Sequence, residues 1–127
     1  MTEQQIIKDV CDWYDNTFPD VHPMHQVHKL VEEWGEYKQA CVNYRYCSTA
    51  FGADLERMKE HKEEEAADVA IVIITILRNL TMFNSHCTDN FLQLIFHELE
   101  ANGHNLLESI PKKMVINKQR ALDGRWK

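Results

Sequence analysis

Glu65-Ala66-Ala67-Asp68-Val69-Ala70-Ile71-Val72-Ile73-Ile74 lies within a stretch, Leu55 to about Phe83, that contains neither Pro nor Gly. The charged first half of that stretch gives way to an apolar second half, which predicts a long third helix starting near Ala53 and leaving at Asn84 to Thr88. Beyond Asp68 the apolar residues occupy every side of such a helix, so neighbours must cover its whole circumference. Glu65 and Asp68 continue the line of Val72 and Ile76 and therefore point into packed surroundings. An unpaired carboxylate there costs several kcal/mol, and a bound cation removes the cost.

Working outward, Ile6, Ile7, Val10, Trp13 and Tyr14 recur at helical spacing, which predicts a first helix to about Asn16 with Thr2 as its N-cap. Thr17 to His22 interrupts it. Pro23 suits the first position of a second helix running to about Tyr46, and Cys47 to Gly52 is a small, polar break. A further helix is expected from Asp89, carrying Phe91, Leu92, Leu94, Ile95 and Leu99 on one side and stopping at Asn102-Gly103. The last helix is expected to begin at Pro111 with Ser109 as cap and to run towards Gly124. Strand alternation is absent from the sequence, so the expected fold is an all-α bundle of four to five helices in one domain, 1–127.

With 44% hydrophobic and 27% charged residues, the 127-residue chain has the composition of a folded globular protein. Its net charge of -6 argues against a nucleic acid polymer as partner, since that affinity comes from clustered Lys and Arg. The longest apolar run, Val69 to Leu77, is about nine residues against the roughly 20 needed to span a bilayer, so no membrane is expected. Glu3, Lys8, Asp9 and Asp12 exclude the apolar stretch of a secretory signal from the first turns. Cys11, Cys41, Cys47 and Cys87 form no Cys-x-x-Cys pair and read as reduced thiols of a cytoplasmic protein.

The second helix carries Glu32-Glu33-Trp34-Gly35-Glu36, so it and the third helix each supply carboxylates at i and i+3, which share a helical face. Carboxylates so grouped repel one another unless protonated or holding a hard cation, and Mg²⁺ suits oxygen ligands, with Mn²⁺ as a substitute. On the second helix Val27, Leu30, Val31 and Trp34 form an apolar stripe roughly opposite these acids. That periodicity puts the acids towards solvent or a second packing surface and makes Trp13 and Trp34 core aromatics.

Glu32, Glu33 and Glu36 followed by Glu65 and Asp68 resemble the Glu-Glu-x-x-Glu and Glu-x-x-Asp motifs of the MazG-like, all-α nucleoside triphosphate pyrophosphohydrolases. The interval Tyr37 to Glu64 is at the long end for that family. Lys113, Asn117 and Arg120 resemble the Lys, Asn and Arg helix that closes these domains and meets nucleotide phosphates. The likeness spans roughly Pro23 to Arg120. Its nearest look is to phage-type deoxynucleotide pyrophosphohydrolases, with His28 one turn before the Glu pair and Trp126 after Arg120, although several residues separate Arg120 from Trp126 where the pattern has nearly none.

The resemblance implies Mg²⁺-dependent cleavage of a (deoxy)nucleoside triphosphate between the α and β phosphorus, giving the monophosphate and pyrophosphate. It implies metal ligation by Glu33, Glu36, Glu65 and Asp68, with Glu32 or Glu33 accepting the proton of the attacking water. Lys113 and Arg120 would then meet the phosphate tail, Asn117 a phosphate or the sugar, and His28 the border of the base pocket. A homodimer or homotetramer is expected, with its interface near the site.

Two other classes compete. A di-iron or di-manganese bundle needs Glu-x-x-His pairs, and none of the seven His residues has Glu three positions earlier. A non-catalytic helical regulatory protein would present its acidic face to a basic partner and gain nothing from Mg²⁺. A phosphoribosyl-nucleotide pyrophosphohydrolase is a closely related alternative.

Overall fold

The computed structural model describes residues 2–46, 52–80 and 105–124, which form four helices packed together, with no strand among the described residues. They are α1 (Glu3–Thr17), α2 (Pro23–Tyr46), α3 (Gly52–Leu80) and α4 (Leu106–Leu122). None of them is long and apolar enough to cross a membrane. The helix expected from Asp89, together with Cys47, Cys87 and Trp126, lies outside the described residues.

Local chemistry accounts for the ends of α1 and α4. The Thr2 hydroxyl accepts from the Gln5 backbone N–H at 3.2 Å while the Gln5 side chain accepts from the Thr2 N–H at 2.8 Å, a reciprocal box that satisfies two donors at the start of α1. Gly124, at φ 73°, supplies the left-handed residue that ends α4. α4 begins five residues before the expected Pro111 start, with Asn105 rather than Ser109 at the cap position. Leu106, Ile110 and Met114 explain the difference. They recur at i, i+4 and i+8 and are 0%, 0% and 2% exposed, so their burial outweighs the one helical hydrogen bond that Pro111 forfeits.

α3 is the axis of the molecule. Ala66, Ala67, Val69, Ala70, Ile71, Val72, Ile74 and Thr75 are all buried, so its second half is covered around the circumference as its composition requires. α2 lies antiparallel along it: the Gln26 amide meets Thr75 near one end, and Lys62 sits 4.5 Å over the Tyr44 ring near the other. α1 packs across the C-terminal half of α3, where Asp15 pairs with Arg78 at 3.2 Å and the Tyr14 hydroxyl accepts from Asn79 at 3.4 Å. α4 packs against α3 as well and is tied to α1 by Lys118 and Asp9 at 2.7 Å.

The orientation of α2 corrects the expectation from its apolar stripe. Gln26, Glu33, Tyr37 and Ala40 turn inward, Leu30 is partly buried beside them, and Val31 and Trp34 are 70% and 46% exposed. Trp34 is therefore an outer residue that stacks, tilted, on Tyr37 with centroids 5.6 Å apart, whereas Trp13 does pack against the core. Gln26 and Glu33 share the buried face of α2 with Leu30, Tyr37 and Ala40, and hydrophobic periodicity cannot register the two polar side chains as buried.

Candidate functional site

Between α1, α2, α3 and α4 lies a cavity of about 590 Å³. α2 contributes His25, Gln26, Lys29, Glu32, Glu33 and Glu36, which fall within an arc of about 120° at 100° per residue. α3 contributes Glu65, Asp68, Ile71 and Val72, and α4 contributes Lys113, Asn117 and Arg120. Every predicted site residue except His28 lines this one space. His28 is exposed, because its position on α2 falls outside the inward arc, and His25 lines the cavity in its place.

Glu33, Glu36 and Glu65 each offer a carboxylate oxygen within 4.8 Å of the others, a set that could hold a metal ion. Glu33 is 7% exposed, and the Oε2 atoms of both Glu33 and Glu65 are buried without a hydrogen-bond partner. Such orphaned anionic oxygens are costly as they stand and suit a hard cation. Glu36, by contrast, is exposed, so the trio opens to solvent on one side.

The electrostatics express the same crowding. Burial first, then the charges of Asp68, Glu36 and Glu33, push the Glu65 carboxyl up to about 7. Burial, Asp68 and Glu36 also raise Glu33, opposed by Lys29, whose ammonium is 3.3 Å from Glu33 Oε1 and 3.4 Å from Glu32. Asp68 is raised by burial against the pull of Lys113. Its Oδ2 lies 3.3 Å from Lys113 Nζ, so Asp68 faces the same cavity from an ion pair rather than from within the close-set trio. Asn117 is 5% exposed and Arg120 half-buried on the α4 wall.

At the far end from the acids, Trp13 and Phe18 meet edge to face with centroids 5.7 Å apart, and His25, Gln26, Ile71 and Val72 complete the wall. Lys29 and Gln26, which line the cavity, and Thr75, which bonds Gln26, are not among the residues the motifs single out. The signal for them was register: Gln26 stands seven residues before Glu33 and Thr75 seven after Asp68, so both lie on the acid-bearing faces two helical turns away. Comparison of the chain with protein-family models, with curated proteins and with solved structures finds no match.

Proposed function

We propose that this chain is a Mg²⁺-dependent pyrophosphohydrolase of the MazG-like kind, cleaving a (deoxy)nucleoside triphosphate to the monophosphate and pyrophosphate. The observation that carries the reading is the gathering of three carboxylate oxygens within 4.8 Å, two of the three groups having a buried oxygen with no hydrogen-bond partner, in a cavity that Lys113 and Arg120 also line. Glu33, Glu36 and Glu65 would hold the ion, with Asp68 beside them. When bound, Mg²⁺ or Mn²⁺ would supply positive charge and Lewis acidity against the triphosphate.

The rest falls to side chains. Lys113, Asn117 and Arg120 line the same cavity from α4, where they can take the phosphate tail, Arg120 engaging two oxygens at once. Drawing Lys113 onto phosphate would free Asp68 from its ion pair. Glu32 stands exposed on the cavity wall outside the close-set trio, with Lys29 beside it, and is the carboxylate best suited to accept the proton of the attacking water; Glu33 is the other candidate. Attack forms a new bond to the α phosphorus and breaks its bond to the bridging oxygen, which leaves on pyrophosphate.

The reading includes a cytoplasmic homodimer or homotetramer. Met24, Val27, Val31, Trp34 and Val42 are between 38% and 70% exposed along one side of α2, an apolar strip that a second copy of the chain would cover. Sedimentation of wild-type and Val31→Glu protein tests this part, a shift to monomer being expected.

Pyrophosphate release from a panel of ribo- and deoxynucleoside triphosphates, with and without Mg²⁺ and with Glu65→Gln as control, tests the reaction. Metal-dependent release abolished in the variant is the expected result. Folded protein that releases nothing across the panel would reject it and favour a phosphoribosyl substrate or a non-catalytic helical binder.

A further inference from the structure

The Thr75 side chain is fully buried, and its hydroxyl donates to the Val72 carbonyl at 2.7 Å. That hydroxyl has one proton, so towards Gln26 it can only accept, and the Gln26 Nε2 donates to it at 2.7 Å. The direction of the amide is thereby fixed. Its NH₂ group faces α3, and its Oε1 is turned away from Thr75. Gln26 is 9% exposed and lines the cavity at the end occupied by Trp13, Phe18 and His25. Glu33, seven residues on, lies about 10 Å farther along the same face of α2. A nucleotide whose phosphates meet the acid cluster would therefore carry its base to the level of Gln26.

From this arrangement we infer that Gln26 is a specificity-determining residue that reads the edge of the base, and that Thr75 is the positioning residue that sets which atom of the amide does the reading. The inference rests on the cavity being a nucleotide site. A fixed carbonyl oxygen accepts a hydrogen bond from an exocyclic amino group and repels an exocyclic oxo group at the same place. The site therefore favours amino-bearing bases, cytosine over uracil and adenine over hypoxanthine, each pair alike in ring size. A hydrogen bond of this kind is worth roughly a factor of ten in affinity.

The test is calorimetric titration of the whole protein with dCTP, dUTP, dATP and dITP in Ca²⁺, which reads binding by the same acids apart from turnover. Wild-type protein is expected to bind the amino member of each pair about tenfold tighter. Thr75→Val keeps the side-chain volume but offers no acceptor, so the amide is free to turn and the preference collapses towards unity. Gln26→Leu loses the preference as well, and Thr75→Ser, which retains the hydroxyl, preserves it. A purely structural Thr75 would weaken all four nucleotides equally and leave the ratios intact. Equal or inverted preference in wild-type protein, or ratios unmoved in Gln26→Leu, overturns the base-edge assignment alone, and ratios unmoved in Thr75→Val overturn the positioning role of Thr75. Failure of all four nucleotides to bind overturns the nucleotide reading and this inference with it.

Discussion

α2 and α3 are neighbouring antiparallel helices that contribute to one cavity, yet they are built on opposite plans. α3 buries nearly everything from Ala66 to Thr75, so its two acids are fixed by apolar packing on every other side. α2 turns Gln26, Glu33 and Tyr37 inward and leaves Val31 and Trp34 outside. Its orientation is set by the polar pairing of Gln26 with Thr75 and by the aromatic and small residues Tyr37 and Ala40, while its apolar strip stays exposed. A helix can thus be held in place by buried polar and aromatic side chains, with its hydrophobic side turned away.

The largest expected effect tests the α3 half of the contrast. Ile74→Ala, at a position 1% exposed, should cost about 2–5 kcal/mol in urea unfolding. The comparable truncation Val31→Ala on α2 should cost under about 0.5 kcal/mol in dilute protein. Equal losses at the two positions would break the comparison.

Next in size is the cation. If the acids hold Mg²⁺, the ion at a hundredfold excess over its dissociation constant should raise stability by about 2.7 kcal/mol, and thermal melts of Glu65→Gln protein should lack the rise. Without metal the sign reverses. Glu65 keeps its proton up to about 7 when folded but titrates near the ordinary carboxylate value of 4.5 when unfolded, so the folded state binds more protons between those values. Metal-free stability should therefore fall as pH rises through that window, by on the order of 1 kcal/mol relative to Glu65→Gln once solvent screening of this partly exposed group is allowed for. Melts from pH 5 to 8 in chelator, with the two proteins compared, check it; parallel curves would reject the crowding of the acids.

The smallest effect returns to the outer side of α2. A Cβ added at Gly35 meets nothing within 4 Å, so Gly35→Ala should stabilise the chain by about 0.5–1 kcal/mol through helix propensity alone. A loss would mean that the open side of α2 is closely covered.

These contrasts also explain what could be read from the residues. The bounds of α2, the cap at Thr2 and the partial burial of Glu65 and Asp68 were legible because each depends on local spacing or on an apolar surround that composition reveals. The inward face of α2 was not, since Gln26 and Glu33 look like solvent residues until Thr75 and Glu65 are beside them. The start of α4 was hidden for a related reason: Pro111 is a strong local signal, but the distant partners that bury Leu106 and Ile110 decide the matter. Among the site residues, Glu32, Glu33, Glu36, Glu65, Asp68, Lys113, Asn117 and Arg120 all reach the cavity, and His28 does not. A spacing of one turn from the Glu pair does not by itself fix the side of the helix a residue faces.

The paired seven-residue steps, Gln26 to Glu33 and Asp68 to Thr75, carry a consequence for how such a chain can change. The two ends of the cavity stay in register only while both helices count the same two turns. Adding or removing one residue within either step would rotate one end against the other by about 100°, parting the amide from its hydroxyl or the acids from one another. Substitutions along these segments can be graded and absorbed, whereas a single in-frame codon gained or lost there should abolish the site outright. Length, more than residue identity, is the property these two segments have least freedom to vary.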